Sequence, residues 1–230
     1  MIRPHTLYKL LHEAFGNQHW WPMDKSYHRR HHTDPRFEVV VGAILTQNTA
    51  WPNVEKALDN LKQSRVLDVE NLATMDREEL CLLIKPSGFF NQKAERLSKL
   101  SAYLSTTYQG DLDVFFARDL HEIRAELLSL SGIGPETADS ILLYAGNLPI
   151  FVVDAYTKRL CARLPLPIPL TYDEIQQYFE KNLQTHYPAH QLSSIYNELH
   201  ALIVTLAKQH CRKKPVCEPC PLKMHCAFGP

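Results

Sequence analysis

The feature that most constrains this chain is the break at Gly132-Ile133-Gly134-Pro135. A helix end, Leu127-Leu128-Ser129-Leu130, runs into it, and Pro135 opens a second helix at a position whose N–H would have no partner anyway. Two glycines around one apolar residue allow a tight reversal while Ile133 enters the core. The predicted unit is a helical hairpin whose second helix starts with outward N–H groups, a seat for a phosphate framed by Gly132, Gly134 and Thr137. Farther on, the apolar run over residues 150–153 delivers a lone carboxylate, Asp154. A phosphate seat followed by a carboxylate at the end of a buried segment points to chemistry on a nucleic acid. The same residues also read as a plain hairpin with Asp154 capping the next helix.

Charge decides where such a partner could be held. The 230 residues carry 25 Lys and Arg against 25 Asp and Glu, so no global basic field draws the chain to DNA and any positive surface must be local. Lys208, Arg212, Lys213, Lys214 and Lys223 supply one such surface, opposed only by Glu218 in that stretch, and His28-Arg29-Arg30-His31-His32 supplies another. Both also read as solvated faces. No apolar run approaches the roughly 20 residues that span a bilayer, and the first residues lack a signal-peptide core. The expectation is a cytoplasmic chain without a membrane partner.

Elsewhere the periodicity is helical. Residues 5–15 place Leu7, Leu10, Leu11, Ala14 and Phe15 on one face. Residues 37–50 read as a buried helix ending in Thr46-Gln47-Asn48-Thr49, which sets hydrogen-bonding groups at a surface or simply caps the helix. Further helices are predicted over 52–63, 75–84, the stretch ending near 108, 119–130, 155–163, 172–186 and 190–208. Trp20-Trp21-Pro22 is either a hydrophobic anchor or, with Trp51, a wall on which a planar base can stack. Phe89, on the turn made by Pro86-Ser87-Gly88, is either a staple onto the following helix or a wedge for a base stack. No strand alternation is present, so the predicted class is all-α.

Four of the six cysteines fall at Cys211, Cys217, Cys220 and Cys226. In a reducing compartment a metal is the better reading than disulfides, and this spacing can wrap one zinc or one iron–sulfur cluster. Cys81 and Cys161 sit in apolar helical contexts and read as core.

Taken together, Leu130-x-Gly132-Ile133-Gly134-x-x-Thr137-Ala138 and Val152-Val153-Asp154-x-x-x-x-Arg159 resemble the helix-hairpin-helix DNA glycosylases of the endonuclease III superfamily. Trp20-Trp21-Pro22, Gly42 to Thr49, Pro86-Ser87-Gly88-Phe89-Phe90-Asn91-Gln92-Lys93-Ala94 and Gly132-Ile133-Gly134-x-Glu136 look like its bacterial 3-methyladenine glycosylase branch. The resemblance implies two helical lobes with a DNA-binding cleft between them, residues 30–150 forming one and residues 1–29 with 151–230 the other. It implies a [4Fe-4S] cluster on the C-terminal cysteines, although the first gap is one residue shorter than the family's, and zinc stays as the alternative.

For the site it implies Asp154 as the catalytic carboxylate; Trp20, Trp21, Pro22, Gln47, Trp51, Phe89 and Glu136 around the lesion; and Gly132, Gly134, Thr137, Lys93, Arg212 and Lys213 on the phosphates. Family members that also cut the backbone carry a lysine two residues after the second glycine, where this chain has Glu136, which cannot form an imine. The implied activity is a monofunctional glycosylase on an alkylated purine in double-stranded DNA, acting as a monomer. The alternatives are a glycosylase/lyase on damaged pyrimidines and a non-catalytic lesion-binding protein.

Overall fold

The computed structural model describes residues 2–228. In chain order its α-helices are α1 (Pro4–Phe15), α2 (Lys25–His31), α3 (Pro35–Leu45), α4 (Trp51–Gln63), α5 (Val69–Thr74), α6 (Arg77–Leu83), α7 (Phe90–Tyr108), α8 (Leu112–Phe116), α9 (Leu120–Ser129), α10 (Pro135–Ser140), α11 (Ala155–Arg163), α12 (Tyr172–Gln184) and α13 (Leu192–Gln209). No strand occurs among the described residues, and no described helix is long and apolar enough to cross a membrane. The chain divides into two compact units: residues 21–146, and the residues up to 20 together with those from 147 on.

Most helices begin the same way. Asp24, Asp34, Asp68, Asp76, Asp111, Asp119 and Asp154 each stand at an N-cap and accept a backbone N–H from the first turn. Such a cap is worth about 1 kcal/mol and complements the positive end of the helix dipole. Short helices such as α2, α5 and α8 therefore form although their apolar periodicity is too brief to read.

In the 21–146 unit, α3 is the axis, with Phe37 to Leu45 buried throughout. Around it stand α4, α7, α10 and the π-helical turn Ile141–Ala145 that continues α10. A charged network lies at the start of α3: Glu38 is 2% exposed and receives His28 Nε2 at 3.0 Å, the Asp24 N–H at 2.7 Å and Lys62 Nζ at 3.3 Å. His28 is itself 2% exposed and its Nδ1 meets Thr33 Oγ1 at 2.7 Å. It is therefore part of the interior and not of an open basic loop; Arg29, Arg30 and His32 are the exposed members of that cluster.

In the other unit α13 is the axis, packed by α1 and α11, and α12 packs in turn on those two, with Leu7, Leu11, Leu160, Ile175, Phe179 and Leu183 buried. The apolar residues 150–153 enter as a buried extended segment with no sheet to pair with. Side chains of α12 satisfy it instead: Glu180 accepts the Phe151 N–H at 2.8 Å and Gln176 donates to the Phe151 carbonyl at 2.7 Å. Phe151 also stacks on Phe179 at 4.6 Å. That bracing fixes where Asp154 emerges.

Glu38 is a test of the first unit. Burial pushes its carboxyl up, but His28, the Asp24 amide and Lys62 outweigh this and hold it below its ordinary range. A depressed carboxylate contributes stability above its unfolded value of roughly 4.3 that is lost as pH falls through the lower folded value. Replacing Glu38 with Gln should cost about 3 kcal/mol at neutral pH, because buried His28 then loses its carboxylate and Lys62 keeps only Asp59 and Asp24. Chemical denaturation at pH 7 and pH 3 measures it, and the gap between wild type and E38Q should narrow at the lower pH.

Candidate active site

The hairpin forms as the glycines require. Gly132 holds φ +87, a region closed to most side chains, and a Cβ there would lie 2.2 Å from Arg96 Nε. Ile133 is 5% exposed, while Gly132, Gly134 and Glu136 face solvent. Pro135 holds the first position of α10, so the helix opens directly from the glycine turn. A bidentate pair, Arg124 Nε to Asp139 Oδ1 at 2.6 Å and Arg124 Nη2 to Asp139 Oδ2 at 3.1 Å, clamps α9 to α10.

Gln47, just past α3, is tied to the hairpin. Its Nε2 donates to the Gly132 carbonyl at 3.1 Å and to Thr137 Oγ1 at 2.8 Å, and its Oε1 accepts from Arg96 Nη1. Plain capping belongs to its neighbour, since Thr46 Oγ1 donates to the Gly42 carbonyl at 3.0 Å. Thr137 narrows one expectation. Its side chain is buried and accepts from Gln47 Nε2, so the expected phosphate seat rests on its backbone N–H alone.

Lys93 corrects another. Expected on a phosphate, it is 1% exposed, and its ammonium donates to the Leu45 carbonyl at 2.8 Å, the Ser87 carbonyl at 2.8 Å and Thr49 Oγ1 at 2.6 Å. Burial and then Arg96 push it down to about 8. It joins the loop after α3 to the turn that carries Phe89. Phe89 is 63% exposed, which excludes a staple onto α7, and holds φ +47 directly after Gly88 at φ +64. An aromatic residue forced into the left-handed region costs about 1–2 kcal/mol.

Trp21 meets Trp51 edge-on at 5.4 Å and Tyr144 at 5.1 Å, forming a half-buried aromatic group. The indole lies so close to Gly42 that a Cβ there would sit 3.2 Å from Trp21 Nε1. Tyr144 sits in the π-helical turn, and its place in the group could not be read from helical spacing. Pro22 is exposed.

The remaining parts lie in the other unit. Asp154 Oδ1 accepts the Thr157 N–H at 2.7 Å as the cap of α11, and Oδ2 lies 3.5 Å from His200 Nε2 of α13. The Asp154 side chain keeps 11% of its surface accessible. Burial drives this carboxyl up, yet His200 and Thr157 more than offset it and hold it below the usual carboxylate range, so it is an anion at neutral pH. Trp20 belongs to this unit, its ring edge-on to His200 at 6.1 Å.

Cys211, Cys217, Cys220 and Cys226 line one cavity with Pro215, Val216 and Phe228. No three His, Cys, Asp or Glu among the described residues stand where they could hold a single metal ion. The donor chemistry nevertheless suits a metal group. Burial and then the facing thiols of Cys211, Cys226 and Cys217 push the Cys220 thiol up, so four thiolates cannot share this space without positive charge among them. Arg163 donates to Cys211 Sγ at 3.1 Å and to the Arg212 carbonyl at 2.8 Å, and Arg159 donates to the Cys211 carbonyl at 2.9 Å. Helix α11 thus carries the carboxylate at its start and braces the cysteine loop at its end. Arg212 and Lys213 are exposed on that loop.

A glycine-bent hairpin, a capping aspartate after a buried segment and a cysteine-lined terminal loop define a helix-hairpin-helix base-excision glycosylase. Residues 41–185 match the HhH-GPD superfamily of base excision DNA repair proteins, and the chain belongs to that family. A Methanocaldococcus jannaschii protein assigned as a DNA repair glycosylase is 45% identical over 224 residues, covering 96% of this chain and 94% of that one. Endonuclease III of Thermotoga maritima is 32% identical over 206 residues, covering 89% and 88%. Among solved structures, the H. pylori 3-methyladenine DNA glycosylase bound to 1,N6-ethenoadenine superposes with a TM-score of 0.74 at 29% identity, covering 90% of this chain and 98% of that one.

Lys93 provides the test here. Lys93→Met leaves two carbonyls and a hydroxyl without their donor and should lower stability by about 2–4 kcal/mol. Thermal unfolding with DNA-binding assays checks this. A salt dependence of DNA affinity equal to that of wild type is expected, because no phosphate contact is lost.

Proposed function

We propose that this glycosylase is monofunctional and excises alkylated purines such as 3-methyladenine from double-stranded DNA, acting as a monomer. The observation that carries the reading is Glu136. It stands exposed in the first turn of α10, the position at which lyase-competent relatives present a lysine, and it brings a negative charge there instead of a nucleophilic amine.

The chemistry follows from the charge of the substrate. A purine alkylated at N3 is cationic while attached to deoxyribose. When the N-glycosidic bond breaks, its electron pair leaves with the base, which departs neutral and needs no strong acid. The sugar is left as an oxocarbenium ion, and the Asp154 anion stabilises it until water adds to C1′ and releases its proton. The half-buried Trp21 and Trp51 rings, with buried Tyr144 packed against Trp21, suit the cation–π contact that a cationic base prefers. Similarity to the H. pylori enzyme supports the alkylpurine reading, and similarity to endonuclease III keeps damaged pyrimidines as the second one. Phe89 and Gln47 suit the gap left by an extruded nucleotide, and the N–H groups after Gly134, with Arg212 and Lys213, suit the backbone phosphates.

Cys211, Cys217, Cys220 and Cys226 would hold a [4Fe-4S] cluster, with zinc as the alternative. Such a group supplies the positive charge that keeps four thiolates together.

Two measurements test these readings. Asp154→Asn should lower release of free 3-methyladenine from alkylated DNA by at least about 100-fold while affinity for the DNA stays within a few-fold. Borohydride should trap no covalent adduct with the wild-type chain, and a trapped adduct would instead establish the lyase reading. For the cluster, protein purified without oxygen should be brown, absorb near 400 nm and contain about four iron atoms per chain. Cys217→Ser should bleach it, whereas colourless protein with one zinc would overturn that assignment.

A further inference from the structure

We propose that His200 is the positioning residue of the glycosylase carboxylate, holding Asp154 in one orientation and in its anionic form. This rests on Asp154 being that carboxylate.

A carboxylate has two oxygens, and the helix cap accounts for one. Thr157 N–H takes Oδ1 at 2.7 Å, an interaction any N-cap aspartate makes. Oδ2 has no part in the cap, and the group that approaches it is His200 Nε2 at 3.5 Å. His200 lies midway along α13 and is 5% exposed, with Leu199, Ala201, Leu202 and Ile203 buried beside it. An imidazole in such a run is poorly explained by packing, since an aliphatic residue fills the same space without desolvating polar atoms. Trp20 stands edge-on to the ring at 6.1 Å. At 3.5 Å the ring nitrogen stands within ion-pair distance of Oδ2.

Ionisation is the second half of the argument. Burial alone would favour a neutral Asp154, and a neutral acid cannot stabilise a cationic sugar. The other groups around the pair do not supply the missing positive partner. Cys161 on α11 feels the Asp154 charge, but burial keeps its thiol protonated up to about 12. Tyr178 on α12, whose hydroxyl burial pushes up, interacts with Cys161. Lys158 and Arg159 of α11 lie over the rings of Tyr172 and Tyr156. Thr157 favours the anion through the cap, and His200 is the ionisable group that holds it from the other side.

The test compares His200→Met, which keeps length but no donor, with His200→Gln, which restores an N–H. Single-turnover base release and DNA affinity are measured across pH, with Asp154→Asn as the reference. H200M should lose roughly 10–100-fold in base release with DNA affinity within about 2-fold, and its acid limb should move to higher pH because the largest counterweight to the burial of Asp154 is gone. H200Q should recover to within about 5-fold of wild type. Equal losses in both variants with an unmoved acid limb would make His200 a packing residue and overturn the proposal. Should H200M not fold, carboxyl-carbon NMR of wild-type Asp154 decides: titration below the ordinary aspartate range supports the pair, and titration at or above it overturns it. If Asp154→Asn retains full activity, the reading of Asp154 itself fails, while the NMR titration still decides whether His200 holds that carboxyl.

Discussion

The bracing of Phe151 by α12 is the interaction on which the placement of Asp154 depends. A buried extended segment outside a sheet carries polar backbone groups that must be satisfied, and each left unpaired costs on the order of 1–3 kcal/mol. Glu180 and Gln176 meet both groups of Phe151, so the segment can run through the core and deliver Asp154 at the start of α11. Without those side chains the segment would have to seek solvent, and the carboxylate would lose its place. The anion, its cap and its histidine all follow from a backbone held by two side chains of a neighbouring helix.

The 21–146 unit solves a comparable problem with a different device. Its turns after α3 and before α7 are tied to each other by a single buried ammonium, which gathers three acceptors from them. Gln47 extends the same connection to the hairpin. The residues proposed to meet DNA therefore sit on loops with the rigidity of secondary structure, which is what a site that must distort a duplex requires.

Much of this was legible in the sequence. The hairpin break, the long amphipathic helices and the place of Asp154 as a cap all follow from glycine, proline and periodicity. The short helices α2, α5 and α8 escaped, because five to seven residues show too little periodicity and only their Asp caps announce them. Lys93 was misread because a polar residue beside a motif looks like a ligand contact until its burial is known. His28 was hidden likewise, since its partner Glu38 lies ten residues away on another helix. Tyr144 and His200 sit in apolar helical runs, and nothing local marks either as part of a site.

Phe89 has one more implication. Its ring stands 63% exposed on a backbone already committed to the left-handed region, with Ser87 held beneath it by Lys93. The entropy of arranging that turn was spent when the chain folded, so a surface that comes to cover the ring gains apolar contact without first having to organise a loop. Such a protrusion favours brief, repeated trials over slow remodelling: it can be pressed against many sites in succession and withdrawn unchanged from each.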